Sequence, residues 1–106
     1  MMADLNPVIH APLRLRICSL LSSVDQVEFS TIRRHLDVAD SVLSKHLATL
    51  EEAGYVAIAK GSIDARRTTW ISLSSAGRKA LRQHLRALQE LIDAADTAPP
   101  RRTPRT

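Results

Sequence analysis

Two apolar stripes at helical spacing, on helices joined by a three-residue connector, place the tightest limit on what this chain can fold into. Ile32 and Leu36 lie four residues apart. Leu43, Leu47 and Leu50 follow at steps of four and three. Both spacings return side chains to one face of an α-helix. The connector Asp37-Val38-Ala39 allows only a short turn between the two helices. Ser30 is the expected N-cap of the first helix, and Asp40 or Ser41 that of the second. Gly54, just after Ala53, suits a left-handed stop for the second helix.

The second helix carries a polar face as well as an apolar one. At 100° per residue, Leu47 and Leu50 fall within roughly 40° of Leu43. Ser41, Lys45 and Ala48 take the opposite side, with Thr49 beside them, and Ser44 and His46 flank the stripe. Short hydroxyl side chains and a cation on the outer face are what a helix needs to approach base edges and phosphates. Two helices joined by about three residues, the second with such a face, have the form of a helix-turn-helix. The plainer alternative is a solvated helix face of a small helical domain.

The other elements follow from pattern. Residues 1–7 read as a flexible lead, with Asn6-Pro7 as a turn. Pro12 then opens a helix over about 11–22, with its apolar stripe at Leu13, Ile17, Leu20 and Leu21. Val27-Glu28-Phe29 reads as a short extended segment. Residues 55–59 and 67–73 alternate and are β-branched, so they read as the two strands of a hairpin across a turn at 61–65. Trp70 is expected in the hairpin core. Ser74 caps a last helix over about 75–95. The order is α-α-α-β-β-α: a mainly α chain with a small β-hairpin, a winged helix-turn-helix. With 106 residues, 44% hydrophobic, and one each of Phe, Tyr and Trp, it has one aliphatic core. Residues 1–96 are expected to form the domain, and 97–106, with three prolines and three arginines, a disordered basic tail.

Charge is distributed unevenly. Residues 1–59 hold five Lys and Arg against seven Asp and Glu; residues 60–106 hold ten against four. The basic second half suits an anionic partner, nucleic acid being the leading one. Lys60, Arg66 and Arg67 place cations along the hairpin, where a flanking minor groove or backbone can attract them. Asp64, two residues before Arg66, is positioned to steady its guanidinium. The alternative is a surface ion pair without function.

The run Asp40-Ser-Val-Leu-Ser-Lys-His-Leu-Ala-Thr-Leu-Glu-Glu-Ala-Gly-Tyr-Val56 resembles the recognition helix and following strand of MarR/ArsR-type winged-helix regulators. Asp64-Ala-Arg-Arg67 and Leu73-Ser-Ser-Ala-Gly-Arg78 resemble their wing and the start of their last helix, and the stretch from Asn6 to Arg14 resembles the opening of a compact subgroup. The resemblance spans about residues 5–90. It implies a homodimer on a pseudo-palindromic operator in double-stranded DNA, with most members repressing. Asp40, Ser41, Ser44, Lys45, His46 and Thr49 would serve the major groove. Lys60, Asp64, Arg66 and Arg67 would form the wing contact. It also leaves room for a small-molecule effector of unspecified class. The chain lacks the extra N-terminal helix of larger MarR-type proteins and the paired cysteines of metal-sensing ArsR-type ones.

Leu81, Leu85, Leu88 and Ile92 recur at steps of four, three and four, the interval of a coiled-coil seam. They read as the dimer contact, completed by Leu5, Val8 and Ile9. The alternative is that the stripe packs on its own domain. Cys18 reads as a small buried residue, with a redox sensor as the competing role. His10, His35, His46 and His84 have no metal-ligand spacing, and no metal or cofactor is expected. The chain carries no nucleophile elbow, no phosphate-cradling glycine loop and no catalytic carboxylate pair, so an enzyme is not expected. Without an apolar span or an N-terminal signal core, a cytoplasmic protein away from the membrane is expected. A winged-helix module that binds another protein, with no operator of its own, is the competing function.

Overall fold

The computed structural model describes residues 4–97. The element order is α1 (Pro7–His10), α2 (Pro12–Ser22), β1 (Val27–Glu28), α3 (Phe29–Leu36), α4 (Asp40–Glu52), β2 (Val56–Ile63), β3 (Arg66–Leu73) and α5 (Ser75–Thr97). The three strands form one antiparallel sheet in the order β1-β3-β2. The winged helix expected from the sequence is therefore present, with one extra helical turn at its start.

That turn is α1. Asn6-Pro7 does not close a flexible lead; it nucleates a helix. Asn6 Oδ1 accepts from the amides of Val8 and Ile9 at 2.9 and 3.2 Å, and Pro7 needs no donor at the first position. The same asparagine donates through Nδ2 to the Tyr55 hydroxyl at 2.9 Å and through its backbone N–H to His84 Nδ1 at 2.9 Å. One residue thus joins the N-terminus to the segment after α4 and to α5.

The helix-turn-helix forms with the expected three-residue connector, but its caps differ. Glu28, not Ser30, occupies the α3 N-cap, and the Ser30 hydroxyl donates to Glu28 Oε2 at 3.3 Å. Ala39, not Asp40 or Ser41, precedes α4 and offers no side-chain cap. Asp40 instead pairs with Arg33 Nε at 3.0 Å across the connector. Asp37 stops α3 in the left-handed region at φ 53°, its N–H reaching the Arg33 and Arg34 carbonyls. Gly54 adopts φ 81°, the left-handed stop expected after α4.

The hairpin is longer than its sequence pattern. β2 runs on through Lys60 and Gly61 to Ile63, and Ile63 pairs with Arg66, so the turn is only Asp64-Ala65. Both adopt positive φ, 52° and 63°, the twist a two-residue hairpin turn requires. Lys60 is thus within a strand, paired with Thr69. Trp70 is half-buried and outside the core, on the strand face opposite Ile71 and Leu73.

One aliphatic core holds the elements together. Ile9, Ile17, Leu21, Ile32, Leu43, Leu50 and Ile71 are fully buried within it. α5 starts against this core and then leaves it. Ser74 Oγ accepts from Gly77 N–H at 2.9 Å as the expected cap, and also donates to Gly54 O at 2.6 Å. Arg78 donates to the carbonyls of Ser22 and Val24 at 3.0 and 3.1 Å, satisfying the end of α2. Residues 91–96 are all exposed, so the last turns of α5 project from the body. Thr97 still belongs to that helix. The rest of the tail expected at 97–106, with its three arginines, lies outside the described residues.

Candidate nucleic-acid interface

α4 presents two chemically distinct faces. Leu43 and Leu50 are fully buried and Leu47 is 2% exposed, whereas Ser41, Ser44, Lys45 and Ala48 are exposed. The outward polar face expected from the wheel is in place. Thr49 is half-buried at its margin and donates to its own helix at Lys45 O, 3.2 Å away.

His46 departs from the expectation. Its ring is half-buried and turned toward α2, where Arg14 Nη1 meets its Nδ1 at 3.1 Å. Burial, then the Arg14 guanidinium, then Lys45 hold the imidazole below its ordinary pKa. The neutral ring accepts the Arg14 hydrogen bond. Arg14 also donates through Nε to Val8 O, so it bridges α1 and α4. His46 therefore packs behind the exposed face of α4. Arg14 and Asn6 were missed as organising residues. The spacing of Asn6 ahead of Pro7 is an N-cap signal that finds one of them; nothing local in the sequence finds the other.

Across from α4 lies the hairpin. A groove of about 350 Å³ separates them, with Phe29, Leu47, Ile58 and Ile71 in its lining and Ser44 and Lys60 among its polar groups. Lys60, Asp64, Arg66 and Arg67 are all exposed. The wing side of this groove carries one cation, Lys60, and its α4 side carries Ser44 and Ala48 together with the carboxylates of Asp40 and Glu51; Ser41, Lys45, Arg66 and Arg67 lie outside its lining. Asp64 makes no ion pair with Arg66 among the described residues: Asp64 is committed to the turn, while Arg66 already belongs to the strand. Asp40 is exposed at the start of α4, engaged by Arg33.

The expected α5 seam divides into two parts. Leu81 is 4% exposed and Ile9 fully buried, both inside the protomer's own core, so neither side chain is available to a partner. Leu85, Leu91 and Ile92 are 45%, 47% and 52% exposed, and Leu88, Leu5 and Val8 are half-buried. A second row at the same interval, Ala80, His84, Ala87 and Leu91, was overlooked. Its first three members are buried against the body, and Leu91 continues it beyond. His84 Nε2 lies 3.4 Å from His10 Nδ1, and burial, then His10, lowers the pKa of His84.

Cys18 is fully buried, and burial, partly offset by Arg14, pushes its thiol up to about 11. Among the described residues no group of three or more His, Cys, Asp or Glu could hold a metal ion, and no helix is long and apolar enough to cross a membrane.

Residues 13–92 match the family described as the winged helix DNA-binding domain. An uncharacterized protein of Methanocaldococcus jannaschii is 30% identical over 84 residues, covering 79% of this chain and 91% of the relative. A transcriptional regulator homologue from Pyrococcus horikoshii superposes with a TM-score of 0.79 at 29% identity, over 84% of this chain and 88% of the other. NadR, crystallised in complex with 4-hydroxyphenylacetate, gives a TM-score of 0.66 at 26% identity, over 85% and 66%. The structural neighbours are transcriptional regulators of the MarR and ArsR types.

Proposed function

The chain belongs to the winged helix DNA-binding domain family, and from that membership we propose that it regulates transcription by binding a specific operator as a homodimer. Family and fold are those of DNA-binding transcriptional regulators. The observation that carries the finer reading is the division of α4: a fully buried leucine row behind an unobstructed Ser41, Ser44, Lys45 and Ala48 face. That face enters the major groove, with Thr49 at its margin. Lys60, Arg66 and Arg67 hold the flanking backbone and minor groove, with Asp64 shaping the wing tip. Asp40 steadies Arg33 beside the start of the reading helix.

Residues 4–97 act as one unit in which α5 is the dimerisation arm. Leu85, Leu88, Leu91 and Ile92 make its contact surface, with Leu5 and Val8 at the margin. Two-fold symmetry then sets the two α4 helices about 34 Å apart, one turn of duplex, so the operator is pseudo-palindromic. Occupying such a site blocks transcription, which makes repression the favoured outcome. A small-molecule effector is supported by NadR, which binds 4-hydroxyphenylacetate on a similar scaffold.

Binding selection from random duplexes tests the reading. It should return one palindromic motif. Lys45→Ala should weaken that site and reduce the salt slope of binding by about one. Recovery of no motif at any salt concentration would remove the proposal.

A further inference from the structure

A second hollow, of about 250 Å³, lies where α3 begins beside the wing, lined by Glu28, Phe29 and Ser30 on one side and Arg66, Arg67 and Thr68 on the other. Three observations converge on it. α3 has no side-chain cap, so its first-turn amides and positive end are left without a carboxylate or hydroxyl partner. Thr68 is 8% exposed, yet its Oγ1 has no hydrogen-bond partner, a state that buried hydroxyls rarely keep. Arg66 and Arg67 are exposed and form no ion pair among the described residues. Helix amides, a hydroxyl and guanidinium groups around one hollow are the donors that a tetrahedral oxyanion takes.

We propose that this hollow is a binding site for a phosphate group. Glu28 is the one carboxylate in its lining. Its Oε2 accepts from Ser30 Oγ at 3.3 Å, and against two guanidinium groups the balance stays positive. Thr68 supplies the hydroxyl, the start of α3 the amides, and Arg66 and Arg67 the charge. Seated on a backbone phosphate, the site would lock the wing to the first helix of the helix-turn-helix. That source rests on the DNA-binding reading above; the phosphate chemistry does not.

The test has two arms. In the first, the free protein is titrated with inorganic phosphate while amide resonances are followed, with chloride at matched ionic strength as control. The Ser30, Thr31 and Thr68 amides should shift saturably with phosphate alone. Thr68→Val should weaken the binding several-fold without lowering Tm, because valine is isosteric and leaves no orphan hydroxyl. Glu28→Gln should tighten it. In the second arm, phosphate ethylation of the selected operator should reveal one phosphate per half-site whose modification hinders the native protein but not Thr68→Val. Saturable shifts with that interference assign the site to DNA. Saturable shifts without it, or with no operator found, assign the site to a free phosphate-bearing ligand, and in the latter case it is the DNA reading that fails. Shifts absent, equal in chloride, or unchanged by Thr68→Val overturn the proposal even if operator binding is intact.

Discussion

A β-carbon added to Gly77 would lie 2.1 Å from the carbonyl oxygen of Tyr55, because the first turn of α5 is pressed onto the chain that leaves α4. Leu73 Cδ1 would be 2.8 Å away on the same side. The oxygen is backbone and already accepts from Ser74 N–H at 2.9 Å, so it cannot step aside. Gly77→Ala should therefore destabilise the protomer by at least about 2 kcal/mol, an overpacking cost, despite alanine's better helix propensity. Thermal denaturation reads the difference. A variant as stable as the native chain would mean that α5 is not seated as described.

Leucines on the same helix should behave in opposite ways. Leu81 is in the core, so Leu81→Ala should cost about 2–5 kcal/mol of protomer stability. Leu91→Glu alters a side chain that is 47% exposed and should leave the protomer folded. Under the dimer reading it should halve the mass seen by light scattering and abolish operator binding. It should also remove the concentration dependence of Tm that a dimer shows. A native chain that is monomeric at all concentrations would defeat that reading.

Acidification should loosen the fold through two histidines. His84 accepts from the Asn6 N–H and His46 from Arg14, so both rings are needed neutral, and both have a pKa lowered from 6.5. Below about 6.5 the unfolded chain takes up protons that the folded one refuses. This contribution is complete above that pH and is lost as pH falls toward the lower folded values. Chemical denaturation at neutral and mildly acidic pH should show the decline. His84→Gln, which keeps an acceptor but does not titrate, should flatten it.

Cys18 should be a poor sensor. A thiol buried and raised to about 11 holds almost no thiolate at neutral pH. Alkylation by iodoacetamide should proceed only as fast as the protein opens. Peroxide should leave operator affinity unchanged. Rapid labelling of the folded protein would contradict the burial.

Much of this arrangement is legible along the chain, where the cause is local. The leucine row of α4 reports its buried side, Gly54 its stop, and Ser74 the cap of α5. What sequence patterns miss depends on partners far apart. His46 sits on a helix face that suits DNA, but Arg14, 32 positions away, draws it inward. Ser30 and Asp40 have good capping chemistry but are engaged by Glu28 and Arg33 instead. The hairpin appears short because Lys60 and Gly61 are poor strand formers, yet pairing with Thr69 and Thr68 carries the ladder past them. Heptad spacing in α5 is equally blind to where the body ends, so Leu81 and Leu85 look alike although only one is covered.

Ser74 couples the end of α4 to the start of α5. Its hydroxyl ties the residue that stops α4 to the first turn of α5, so two long elements share a rigid elbow at a single oxygen. If the molecule pairs as proposed, scissoring of one arm against its mate would pass through this link and tilt each α4. On that reading, the range of half-site spacings the dimer could tolerate would depend on the stiffness of that elbow.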